Sequence, residues 1–107
     1  MNLITYLERH KEWSEHTFGT EPRTVGLLKH LVRETVEIAE DPADVQEWVD
    51  AIILSFDALL NLGRSPEQVC ALLCGKQSLN MQRSWPKPTD GEPTEHKKDL
   101  TSQVIMP

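Results

Sequence analysis

Only the dipeptide Asp41-Pro42 separates two long stretches of helical periodicity, one on either side of the middle of the chain. Two helices joined by so short a connection are expected to fold back on one another as an antiparallel hairpin. The first runs from about Arg23 to Glu40, with Leu27, Leu28, Leu31, Val32, Ile38 and Ala39 recurring at helical spacing. The second runs from Pro42 to about Leu62 and holds the most hydrophobic stretch, Trp48 to Phe56. Asp41 suits its N-cap and Pro42 its first turn, where a missing N–H costs nothing. Gly63 suits the position just past its end.

Two further helices flank this pair. Residues 2–16 place Leu3, Leu7, His10 and Trp13 near one face, stopping before Thr17-Phe18-Gly19-Thr20. Ser65-Pro66-Glu67-Gln68 reads as a capping box opening a helix that continues to about Ser84, ended by Trp85-Pro86. The expectation is an all-α, four-helix domain over residues 1–86. The proline-rich, polar stretch 87–107 is expected to be a flexible tail, with Val104-Ile105-Met106 docking on a neighbouring chain. The helix from Pro42 is apolar over more than one face, as suits a helix buried between chains, so an oligomer is expected.

The net charge of −6 argues against a nucleic-acid binder, which needs a basic stripe. It does not argue against a nucleotide substrate, because a metal ion can reverse the local charge. No apolar run is long enough for a membrane span, and the N-terminus lacks the pattern of an export signal. Cys70 and Cys74 have no zinc-site partners and read as reduced, partly buried packing residues. A cytoplasmic location is the default expectation.

The acidic residues carry the functional argument. Glu34 and Glu37 lie three apart on the second segment, and Glu47 and Asp50 three apart on the third. Such pairs share a helix face. Counted outward from the Asp-Pro turn, antiparallel packing sets Glu37 level with Glu47 and Glu34 level with Asp50, so four carboxylates converge in one layer. Each pair alone is a weak signal, and Glu47 also fits a solvated face. Glu34, however, continues the inward row Leu27, Leu31, Ile38, and Asp50 sits among apolar neighbours. Burying lone carboxylates there is costly, and crowding them raises their pKa values. Something cationic must offset this, and an oxygen-only set points to Mg²⁺ or Mn²⁺. Asp57, seven residues after Asp50, reads as either a supporting ligand or a hydrogen-bonded structural acid. Lys76, Asn80 and Arg83 share a face of the fourth helix, suited to neutralising phosphate charge; the plainer alternative is a snorkelling lysine and a surface arginine.

In this order, RETVE (Glu34, Glu37), EWVD (Glu47, Asp50) and KQSLNMQR (Lys76, Asn80, Arg83) resemble the MazG-like all-α nucleoside triphosphate pyrophosphohydrolases. WSEHTFG, HLVRETVEIAEDP and EWVDAIILSFDALLNLG resemble more narrowly the dATP/dGTP pyrophosphohydrolase branch, which includes the phage MazZ-type enzymes that convert dGTP to dGMP for 2-aminoadenine synthesis. The nine-residue spacer between Glu37 and Glu47 is short for the wider group and fits the branch.

The resemblance implies that Glu34, Glu37, Glu47 and Asp50 hold two or three Mg²⁺ or Mn²⁺ ions. Water would attack the α-phosphorus, with one carboxylate taking its proton. Lys76, Asn80 and Arg83 would bind the phosphates, and His30, Trp13 and Phe18 would line a base pocket. For Trp13 and Phe18 plain core packing is the alternative, and for His30 a satisfied helix histidine. The substrate expected is a purine deoxynucleoside triphosphate, dGTP before dATP. The assembly expected is a homodimer or homotetramer in the cytoplasm, that of the host if the chain is phage-encoded. The competing class is a non-enzymatic, antitoxin-like helical dimerisation module, which needs no divalent metal. A ferritin-like di-metal oxidase is disfavoured, since no glutamate has a histidine three residues later.

Overall fold

A computed structural model describes residues 1–88 and 91–96. The described residues form four α-helices and no strand: α1 (Leu3–Phe18), α2 (Thr24–Glu40), α3 (Val45–Asn61) and α4 (Pro66–Gln82). Two compact units divide the chain, Met1–Ala71 and Leu72–Pro107. The expected docking segment Val104-Ile105-Met106 lies outside the described residues.

In the first unit α2 packs along α3, and α1 lies across α3. The four-residue link Asp41–Asp44 makes the α2/α3 pair an antiparallel hairpin, as its brevity requires. Where α3 starts differs from the sequence expectation. Asp44, not Asp41, caps the helix, its carboxylate accepting the Gln46 N–H at 3.0 Å. Pro42 and Ala43 belong to a turn in which the Asp44 N–H donates to the Asp41 carbonyl at 3.1 Å. The Trp48 indole N–H donates to the Pro42 carbonyl at 2.9 Å and ties that turn back onto the helix. A second aspartate three residues on could cap as well as the first, and the proline suits a turn as well as a first helical position.

The other ends follow readable chemistry. Asn2 caps α1 by accepting the Thr5 N–H at 2.9 Å. At its far end α1 continues two residues beyond expectation, to Phe18, because Gly19 at φ +85° takes the reversal and donates its N–H to the Glu15 carbonyl. Ser65 and Gln68 close the expected capping box at 2.9 and 3.1 Å. The helix they open stops at Gln82, where the Asn80 carbonyl accepts both the Arg83 N–H and the Trp85 indole N–H.

The core of the first unit is small: Leu7, Leu60 and Val69, with Tyr6, Phe56, Leu59 and Cys70 packed around them. Of the apolar residues expected to face inward on α2, Leu27 is buried, whereas Leu28 and Val32 are exposed. Both cysteines are free; Cys70 is half-buried, but Cys74 is exposed rather than packed.

Candidate active site

The helical hairpin does what the counting from the turn anticipated for three of the four acids. Carboxylate oxygens of Glu34, Glu37 and Glu47 lie within 4.8 Å of one another. Glu34 is 7% exposed, Glu47 half-buried and Glu37 exposed. One oxygen each of Glu34 and Glu47 is enclosed with no hydrogen-bond donor. This crowding pushes the Glu47 carboxyl up to about 7: sharing a hydrogen bond with Glu37 raises it most, followed by desolvation and by Glu34. Asp50 stands apart from this trio. It is exposed, not enclosed by its apolar sequence neighbours, and lines the adjoining cavity. Of those neighbours, Trp48, Val49 and Ile52 are themselves exposed.

That cavity, about 740 Å³, extends from Glu34 and Asp50 past Leu27, Ile53 and Leu54 to an aromatic end at His10, Trp13 and Phe18. Trp13 meets Phe18 edge-on at 5.5 Å between ring centres, and His10 lies 5.7 Å from Trp13. Both Trp13 and Phe18 are about half exposed, so they wall the cavity rather than fill the core. His30 also lines it, with Nε2 3.3 Å from Glu34 Oε1.

At the aromatic end sits a polar network that the sequence reading did not assemble. Asp57, buried on α3, binds His10 Nε2 at 2.9 Å, accepts from Ser14 Oγ at 2.6 Å, and pairs with Arg23 Nη2 at 3.0 Å. Burial opposes its ionisation, yet the hydrogen bonds from Ser14, His10 and Arg23, with the arginine charge, outweigh it and hold the carboxyl below its ordinary range. Asp57 is thus a hydrogen-bonded structural acid, the second of its two readings. The signal that could have found the network is the stripe Leu7, His10, Ser14, spaced three and four apart. Nothing in the sequence marked Arg23, which enters from the loop before α2.

Lys76, Asn80 and Arg83 belong to the second unit, where Arg83 Nη1 donates to Asn80 Oδ1 at 3.2 Å.

The donor set fits a hard divalent cation. Glu34 and Glu47 each present an enclosed oxygen without a partner, and all three gathered ligands are oxygens. An all-α fold with acidic oxygens drawn together between two antiparallel helices, beside an aromatic-walled cavity, is the class these observations define. The family model for dATP/dGTP pyrophosphohydrolase matches residues 6–103, and the chain belongs to that family. It is also similar to the Eaa protein of Salmonella phage P22, 43% identical over 96 residues, which is 90% of this chain and 30% of that protein. The chain therefore spans less than a third of the length of that relative. No solved structure gives a significant match. Among the described residues no helix is long and apolar enough to cross a membrane.

Proposed function

We propose that the chain hydrolyses a purine deoxynucleoside triphosphate between its α and β phosphorus atoms, giving the monophosphate and pyrophosphate, with dGTP preferred and dATP accepted. The observation that carries this reading is the meeting of Glu34, Glu37 and Glu47, of which Glu34 also lines a cavity large enough for a nucleotide. Glu34, Glu37 and Glu47 would hold Mg²⁺ or Mn²⁺, two or three ions in all, with Asp50 contributing from the cavity wall. Bound there, the ions would screen the phosphates and ease deprotonation of water.

The chain's own groups supply the rest. A carboxylate of the cluster accepts the proton of the attacking water. Trp13 and Phe18 stack against or flank the base, and His30 lies between base and carboxylates. For Lys76, Asn80 and Arg83 a role at the phosphates is carried over from the resemblance of KQSLNMQR alone. Because the family description names purine nucleotides and the relative is a phage protein, the reading extends to a phage-encoded enzyme in the host cytoplasm, its dGMP available for 2-aminoadenine synthesis.

A panel of nucleoside triphosphates with Mg²⁺, scored for the phosphorus product, tests it. Pyrophosphate from dGTP and dATP is expected, and Glu37→Gln should lower kcat by at least about 10²-fold while leaving the helical circular dichroism intact. Release of orthophosphate would refute the reaction, and a pyrimidine preference would refute the substrate. Failure of both Mg²⁺ and Mn²⁺ to raise the melting temperature would favour the metal-free helical module.

A further inference from the structure

Arg23 is held at the aromatic end of the cavity from three sides. Nη2 donates to Asp57 Oδ2 and to Ser14 Oγ, each at 3.0 Å, and the guanidinium carbon lies 4.8 Å from the centre of the Phe18 ring. The backbone contributes as well: the Arg23 N–H donates to Asn61 Oδ1 at 2.8 Å, and Asn61 Nδ2 reaches the Glu21 carbonyl at 3.1 Å. The loop from Glu21 to Arg23 is thereby fastened to the end of α3. An arginine bound on one edge and stacked on one face has lost most of its rotamer freedom before any ligand arrives.

What is left over is donor capacity. Nη1 makes no hydrogen bond among the described residues, and Nε is enclosed without an acceptor. Guanidinium nitrogens cannot accept, so what Arg23 itself offers the cavity is N–H groups only, through Nη1. Leu27, Ile53 and Leu54 on the lining are apolar, and the polar neighbours His10 and Asp57 are buried and hydrogen-bonded to one another at 2.9 Å. The cavity that Arg23 lines reaches Glu34 and Asp50 as well. Asp50 and Asp57 both line the cavity and lie seven residues apart on α3, about 10 Å of rise on nearly one face.

We propose that Arg23 is the residue that selects the base, reading the O6/N7 edge of guanine, and that Asp57 and Ser14 are positioning residues that aim it. This rests on the nucleotide reading of the cavity above. Both of those guanine atoms accept hydrogen bonds, whereas adenine places an amino donor where guanine has O6. A fixed N–H donor at Arg23 Nη1 pairs with guanine and confronts the adenine amino group with another donor. A site built to pair a substrate acceptor rejects the analogue that lacks it far better than an apolar wall does.

The test compares binding of dGMP, dAMP and 7-deaza-dGMP to the full chain in MgCl₂ by isothermal titration calorimetry, for wild type and Arg23→Lys. In parallel, kcat/KM is measured for dGTP and dATP. Lysine keeps a cation for Asp57 but has no second nitrogen left to present to the base. Wild type should bind dGMP roughly tenfold or more tightly than dAMP, and 7-deaza-dGMP, which lacks the N7 acceptor, should fall toward dAMP. Arg23→Lys should shrink the dGMP preference to within about twofold, a ratio that a general loss of stability would not move. Equal wild-type affinities, a preference for dAMP, an unchanged ratio in Arg23→Lys, or no nucleotide binding overturns the proposal. If Arg23→Lys does not fold, the wild-type series with 7-deaza-dGMP decides alone. Absence of pyrophosphate release with a normal binding preference would sink the proposed reaction and leave the base assignment standing.

Discussion

Glu47 is where the acidic crowding becomes measurable. Its carboxyl is raised from an ordinary 4.5 to about 7, chiefly by Glu37. Between those values the folded, metal-free protein keeps a proton that the unfolded chain has already lost, so the folded state binds more protons and stability must fall as pH rises. The metal-free protein is therefore expected to lose melting temperature from about pH 5 to pH 7.5. Saturating Mg²⁺ should abolish that slope if the proposed site binds it, because a divalent cation would replace the shared proton as the group that offsets the charge. Thermal melts at several pH values with EDTA and with MgCl₂ check this; a slope unchanged by Mg²⁺ would mean that no ion occupies the cluster. Asp57 behaves in the opposite sense. Its carboxyl is lowered by its three donors, so what it contributes is present above its unfolded pKa and lost only in acid.

Helix ends place these residues. α3 finishes in a motif that needs glycine: the Gly63 N–H donates to the Leu60 carbonyl at 2.9 Å and the Arg64 N–H to the Leu59 carbonyl at 3.3 Å, with Gly63 at φ +95°. A Cβ at Gly63 meets nothing within 4 Å, so substitution there tests backbone conformation alone. Gly63→Ala should cost about 1 kcal/mol, read as a lower urea midpoint with an unchanged m-value. A neutral result would show that the reversal does not depend on the left-handed conformation. Since Leu60 and Val69 on either side of this turn supply the buried core, the turn also joins the start of α4, up to Ala71, to the rest of the first unit.

At the scale of the whole molecule, the described residues leave much apolar surface uncovered. Val25, Leu28, Val32 and Val36 recur along α2 and are exposed, as are Val45, Trp48, Val49 and Ile52 on α3. Apolar surface on this scale is unusual for a soluble monomer, and a second copy of the chain is the occupant proposed here, in keeping with the expected homodimer or homotetramer. Sedimentation velocity should show an oligomer, and Val32→Asp, at a position 64% exposed, should shift it toward the monomer. A wild-type monomer at micromolar concentration would show that this face stays open.

Much of this was legible in one dimension. Helical periodicity and the Asp-Pro break gave the hairpin, and counting from the break brought Glu34, Glu37 and Glu47 together, because helix geometry and a short link leave little freedom. The glycine reversal after α3 and the Ser65–Gln68 box were equally readable, being interactions between residues three or four apart. Asp50 and the network of His10, Ser14, Arg23 and Asp57 were not. Whether Asp50 joins the cluster depends on the rotation of α3 against α2, and the start of that helix moved from Pro42 to Val45 once Asp44 competed with Asp41 as cap. Asp57 meets His10 across 47 residues and Arg23 across 34. Contacts of that range are made by the packing of whole helices, so local sequence could name the acid but only the tertiary structure could choose its partners.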